Sequence, residues 1–119
     1  MFYGTSEFKL LEAGVKLTQM QQNLHLNNIA NLETPGYKAK SLSFRDVLEE
    51  ASNGKSKITG IEANVVQDDS LSLRPDGNNV DYEAESLALY KTYVQHTMLL
   101  EKIKEQFSNY GYVLNSSMK

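Results

Sequence analysis

The sequence predicts a mainly α protein: two long terminal helices, each carrying a seam for a partner helix, around a short, partly irregular middle segment. Near the C-terminus, Leu89, Tyr93, His96, Leu100, Ile103, Phe107, Tyr110 and Leu114 are separated by alternating steps of four and three. That is the repeat of a helical seam meeting another helix along its length. Near the N-terminus, Leu10, Ala13, Leu17, Met20 and Leu24 keep the same period, and Asn27 and Asn31 continue the row. Two proline-bearing turns, Thr34-Pro35-Gly36-Tyr37 and Arg74-Pro75-Asp76-Gly77, punctuate the stretch between the seams.

The first helix begins near Thr5 or Ser6, either of which can cap it, and Glu7 suits the positive end of its dipole. Leu11, Val15, Leu26 and Ile29 form a weaker second row, broken by Thr18 and Gln22. The far end is rich in amides (Gln19, Gln21, Gln22, Asn23, Asn27, Asn28, Asn31). Polar residues in a seam lower stability but can fix register. The helix stops before Thr34, because a residue ahead of proline is pushed out of helical geometry. Pro35-Gly36 then suits a type II turn, with glycine accepting the positive φ.

In the middle, Ser43-Phe44-Arg45-Asp46 has the pattern of a capping box, and Phe44, Val47, Leu48 and Ala51 fall on one helical face. A short helix is expected there, ended by Asn53-Gly54. Ile61, Ala63 and Val65 alternate with polar residues, as do Leu71 and Leu73, which predicts a small β-hairpin around Gln67-Asp68-Asp69-Ser70. Arg74-Pro75-Asp76-Gly77 reads as a type I turn. Asn79 or Asp81 caps the long helix, with Glu83 and Glu85 in its first turn. That helix is a rod of roughly 50–60 Å. Leu87, Tyr90, Val94 and Met98 form a second apolar row on it, so more than one neighbour is needed to cover both rows. The expected organisation is an N-terminal helix and turn over 1–38, a variable middle over 39–74 and a C-terminal helix over 75–119.

Composition narrows the function classes. The chain has 119 residues, 40% of them hydrophobic, which allows one domain with a modest core. Its 12 basic and 15 acidic side chains leave a formal charge of −3, without the basic stripe of a nucleic-acid binder. Lys38, Lys40, Arg45, Lys55 and Lys57 are diluted by Asp46, Glu49 and Glu50 and read as a solvated connector. No cysteine is present, so disulfides, thiolate metal sites and a cysteine nucleophile are excluded. The first residues lack the basic start and apolar run of a cleaved secretory signal, and no stretch is long enough to cross a membrane as a helix. His25 and His96 are the only histidines. Without a plausible base, triad chemistry fails, and the glycines form no phosphate-binding spacing. The expectation is a protein that is not an enzyme and holds no cofactor or metal. The rival to a structural subunit is a cytosolic helical-hairpin adaptor or export chaperone that binds a partner helix.

Asn27-Asn28-Ile29-Ala30-Asn31-Leu32-Glu33-Thr34-Pro35-Gly36-Tyr37-Lys38 resembles the signature of bacterial flagellar axial proteins, the rod, hook and hook-associated families. Arg74-Pro75-Asp76-Gly77-Asn78-Asn79-Val80-Asp81 resembles the segment opening the C-terminal helix in the short proximal-rod members. The resemblance implies that the terminal helices pair antiparallel as a coiled coil and polymerise with other copies into a helical tube. It implies rod neighbours of the FlgC and FlgF types, the rod-base adaptor FliE, the membrane ring, and export without a cleaved signal through the flagellar type III apparatus. No nucleic acid or small-molecule substrate is implied.

With Asn31 level with Asp81, antiparallel pairing sets Leu24 beside Ala88, Leu17 beside Gln95, and Leu10 beside Lys102 and Ile103. His96 is then a partly buried seam residue and His25 a surface one, about 13 Å apart along the axis. Residues beyond about Phe107, among them Tyr110, Tyr112, Val113, Leu114 and Met118, run past the start of the first helix, and a neighbouring subunit is their natural cover. The expected assembly surface comprises Leu10, Leu17, Leu24, Leu89, Tyr93, Leu100, Ile103, Phe107, Tyr110 and Leu114.

Overall fold

Two antiparallel helices of unequal length carry a β-hairpin on one flank. The computed structural model describes residues 6–50 and 56–117, with the side chains of residues 7–45 and 61–116. Helix α1 (Ser6–Ala30) and helix α2 (Tyr82–Ser117) enclose, in chain order, strands β1 (Lys40–Glu50) and β2 (Ser56–Gln67) of a two-stranded antiparallel sheet. Their 25 and 36 residues make rods of about 37 and 54 Å. The expected register holds to within a turn. Thr18 meets His96, Gly14 lies against Leu99, His25 meets Glu85, and the Phe8 and Phe107 rings stack edge to face at 6.2 Å.

The faces that meet are rotated by about one residue from those that the hydrophobic repeat selects. On α1 the inward row runs through Gly14, Thr18, Gln21, His25 and Asn28, while Met20 and Asn27 are exposed. On α2 it runs through Glu85, Ala88, Thr92, His96, Leu99 and Ile103, while Tyr93 and Leu100 are exposed. Most of these inward residues are small or polar, and Leu17 of the expected row is buried beside Thr18. Small side chains let two helices approach closely, and the cross-seam hydrogen bonds then fix their register. An added Cβ at Gly14 would lie 3.2 Å from a Leu99 methyl. Gly14→Ala is therefore expected to change stability by less than about 1 kcal/mol, because the flexible methyl can yield and alanine favours the helix. Gly14→Leu should destabilise by about 1–3 kcal/mol through overpacking. Thermal melts of the two variants check this contrast.

The middle segment differs from expectation. Residues 43–50 form a strand and not a short helix. Beneath the capping-box pattern lies a period-two alternation. Leu42 and Phe44 pair with Val65 and Ala63 on one face, and Ser41, Ser43 and Arg45 pair with Val66, Asn64 and Glu62 on the other. Pairing with β2 runs along β1 from Lys40 to Glu50, with an irregularity between Val47 and Leu48, and Arg45 adds an ion pair to Glu62 at 2.7 Å. The expected stop at Asn53-Gly54, like Ala51, Thr5 and Met118, lies outside the described residues. The hairpin expected around residues 67–70 does not form: Gln67 ends β2, and Leu71 and Leu73 are fully exposed. Ile61, Ala63 and Val65 are strand residues as expected, but their partner is β1.

The molecule is slender, about 70 × 35 × 15 Å, with a radius of gyration of 19.5 Å. A compact chain of this length has about 13.5 Å. Its accessible surface is 8723 Å², against about 6500 Å² for a compact monomer of this mass. Among the described residues only Leu17 and Val80 are buried apolar side chains. With so small an apolar core, the hydrogen-bonded junction and the seam between the helices carry much of what holds one copy together.

Candidate functional site

Both sequence signatures come together where α1 ends and α2 begins. The first turn closes with the Tyr37 amide donating to the Thr34 carbonyl, and Gly36 has φ +73°. The second closes with the Gly77 amide donating to the Arg74 carbonyl, and Gly77 has φ +79°. An alanine at either glycine would be strained by about 1–2 kcal/mol. The turns then zip together. The Gly36 amide donates to the Asp76 carbonyl at 2.7 Å, the Asn79 amide to the Tyr37 carbonyl, and Lys38 Nζ to the Gly77 carbonyl.

Two asparagines lock this junction, and both are completely buried. Asn78 Nδ2 donates to the carbonyls of Asn31, Leu32 and Thr34 at 2.8–3.0 Å, three carbonyls of the turn that follows α1. Its Oδ1 accepts from the Val80 amide. Asn28 Nδ2 donates to the Lys40 carbonyl and to Glu85 Oε1, and its Oδ1 accepts from the Tyr37 hydroxyl and the Lys40 amide. It therefore ties α1, the first turn, β1 and α2 at one point. Asn31 bonds Asn27 and Thr34, Asp76 Oδ1 accepts from the Asn78 amide, and Asn79 Oδ1 accepts from the Ala39 amide. Asp81 caps α2 through the Glu83 and Ala84 amides, so the cap is Asp81 and not Asn79. Pro35 is exposed and only shapes its turn.

Sequence reasoning missed the seam beside this lock. His25 is not a surface residue: its side chain is 15% exposed, and Nδ1 lies 2.7 Å from Glu85 Oε2. The rotated helix face carries it inward, three residues before Asn28. His96 Nδ1 lies 2.8 Å from Thr18 Oγ1. The Thr18 hydroxyl already donates to the Val15 carbonyl, so His96 Nδ1 is the donor in that bond. The two histidines serve separate contacts and share no site. Arg74, also missed, donates to the Leu32 carbonyl. Among the described residues no three His, Asp or Glu side chains are grouped to hold a metal ion, and no helix is long and apolar enough to cross a membrane.

Burial, and secondarily the Glu85 charge, raises the Tyr37 hydroxyl above its ordinary 10.0. The folded state therefore holds that proton more tightly than the unfolded one. Its contribution is complete below about pH 10 and is lost as pH rises through the raised value. Alkaline titration of helix content should fall above pH 10, and Tyr37→Phe should remove the part of that fall due to this residue.

No protein-family model matches the chain. A flagellar basal body rod protein FlgB of Bacillus subtilis (strain 168) is 30% identical over 96% of this chain and 95% of its own length. The chain belongs to the FlgB family. FlgB proteins of Aeromonas hydrophila (30% over 69% of the chain and 72% of the relative) and Borreliella burgdorferi (25% over 80% and 85%) also match.

In this FlgB-family chain the residues expected to form an assembly surface divide in two. Leu17 is buried within the molecule, and Leu10, Leu24, Leu89 and Ile103 are half-buried. Tyr93, Leu100, Phe107, Tyr110 and Leu114 are exposed, as are Tyr82, Leu87, Tyr90, Val94 and Met98. Both apolar rows of α2 therefore present large side chains to the outside.

Proposed function

We propose that the chain is a structural subunit of the proximal part of the flagellar basal-body rod, joining the membrane ring to the rest of the rod and transmitting torque for motility. The observation that carries this reading is the apolar surface of α2, which one copy leaves uncovered. Each large side chain so exposed forgoes roughly 1.5–3 kcal/mol of burial. Copies that share the same faces bury them head to tail and propagate as a helix. The full-length likeness to a FlgB rod protein supports the same reading. The axial helices would form the wall of the tube, and the β-hairpin would project from it. Neighbours of the FlgC and FlgF types, the rod-base adaptor FliE and the membrane ring are the partners proposed. The chain reaches the rod through the flagellar type III export apparatus without a cleaved signal.

Cell fractionation tests the proposal. A tagged copy that restores motility to a strain lacking its own gene should co-purify with detergent-resistant basal bodies. A chain that stays soluble in the cytosol is the adaptor or export chaperone instead.

A further inference from the structure

The segment that joins β2 to the second turn displays two leucines. Residues 68–72 belong to neither helix nor strand, and alternate positions along them are tied down. Asn79 Nδ2 donates to the Asp68 and Ser70 carbonyls, the Ser70 amide donates to Asp68 Oδ1, and the Ser72 hydroxyl donates to the Asn78 carbonyl. Positions 68, 70 and 72 are thus held at the asparagine lock, and Leu71 and Leu73 between and after them are left outside. They are the most exposed apolar side chains among the described residues. Elsewhere on the molecule an open cleft of about 370 Å³ lies between the hairpin and the two helices. Leu17 of α1, Phe44 and Ile61 of the hairpin, and Met98 and Leu99 of α2 wall it, and Phe44 and Met98 are more than half exposed. Gln21 and Gln95 also line it, and neither side-chain amide is hydrogen-bonded among the described residues.

An apolar cleft with unpartnered amides suits an extended segment better than a helix. A helix satisfies its own backbone, whereas an extended chain brings free N–H and C=O groups, and a glutamine amide both donates and accepts. The amides and carbonyls of Leu71 and Leu73 are such groups, since none is hydrogen-bonded among the described residues. Size agrees. A cavity of about 150 Å³ takes a benzene-sized group; the cleft has room for two such groups, and the segment offers two isobutyl side chains. We infer that Leu71 and Leu73 of one copy fill the cleft of a second copy. The cleft of the same copy is out of reach. The segment is tied through Ser72 and Asn78 to the Asn31 carbonyl, just past the end of α1 at Ala30, whereas the cleft lies along α1 from Gly14 to Gln21. Nine to sixteen residues of helix, about 13–24 Å, separate the two. Leucine pair and cleft are different surfaces, so the contact is heterologous and passes from copy to copy instead of closing. The inference rests on the rod reading for the assembly in which copies meet, and specifies one contact between them.

The chain has no cysteine, so introduced thiols report without background. A chain carrying both Leu73→Cys and Met98→Cys, treated in isolated basal bodies with a short thiol-to-thiol linker, should give dimers and larger species of this chain. Their yield should be at least tenfold above either single variant. In parallel, Leu71→Asp combined with Leu73→Asp, at two side chains that are fully exposed in one copy, should lower incorporation into basal bodies more than tenfold at unchanged cellular level. Equal dimer yield from a single variant, linkage to a protein of another mass, or normal incorporation of the double aspartate variant would overturn the proposal. So would monomer alone from basal bodies that contain the double cysteine variant, which leaves the rod reading intact. Absence of the cysteine-free chain from basal bodies would sink both. Should Leu73→Cys or Met98→Cys be excluded from basal bodies, Leu71→Cys or Phe44→Cys replaces it with the same readings.

Discussion

Asn78→Ala is expected to dissolve the junction between the helices. The substitution removes one of the two donors at each of the Asn31, Leu32 and Thr34 carbonyls, which keep the Thr34 amide, Arg74 and the Tyr37 amide, and leaves the Val80 amide without its side-chain acceptor. The stranded Val80 amide costs about 1–3 kcal/mol, and the lost bonds to the three carbonyls bring the total to about 2–4 kcal/mol. That is a large share of the stability of a small domain. Asn78→Asp should be at least as severe, because it turns a carboxylate oxygen toward the three carbonyls that the amide now serves. Asn28→Ala removes contacts to β1, the first turn and Glu85 at once and belongs to the same class. Asn109→Ala, an exposed amide on α2, should stay within about 0.5 kcal/mol. The readout is helix content at a concentration where the parent chain is helical, with proteolysis of residues 31–40 as a local probe.

The second large effect leaves the fold alone and removes assembly. Val94→Glu places a charge on the exposed apolar face of α2 without touching the seam with α1, and glutamate favours a helix at least as well as valine. Tyr93→Glu does the same on the flank of α2 that faces Leu26 and Ile29 of α1, where tyrosine is 59% exposed. An apolar anchor of an interface contributes about 2 kcal/mol or more, and a charge buried in its place adds a desolvation cost. Incorporation into basal bodies should fall more than tenfold for either variant, and motility with it, at unchanged cellular level of the chain. Glu12→Gln, exposed on α1, serves as control and should swim normally. Normal motility of Val94→Glu and Tyr93→Glu would show that these faces are open to solvent in use.

The two helices, their antiparallel register and both turns were legible in the sequence, because seams, proline and glycine act locally. The facing surfaces were not. Hydrophobic periodicity selects the largest apolar side chains, whereas the helices meet through Gly14, Thr18, Ala88 and Thr92, which allow close approach. Of the large residues Leu17 is buried and Leu10, Leu24, Leu89 and Ile103 are half-buried, but Tyr93, Leu100, Phe107, Tyr110 and Leu114 are exposed, where a chain read by itself has no partner to assign them. The Asn28 and Asn78 lock was visible as a motif but not as a geometry, since its two halves lie about fifty residues apart and meet only when the hairpin closes. The strand over residues 40–50 was hidden by four residues that also fit a capping box. Nothing local distinguishes the two until β2 supplies a partner.

The account turns on one property: an isolated copy keeps more apolar helical surface than it can shelter. Circular dichroism of the purified chain across a hundredfold range of concentration tests this directly. The expected result is weak helix signal and a broad melt at low concentration, with both helicity and midpoint rising as copies associate. A sharp, cooperative melt with a midpoint independent of concentration would contradict it.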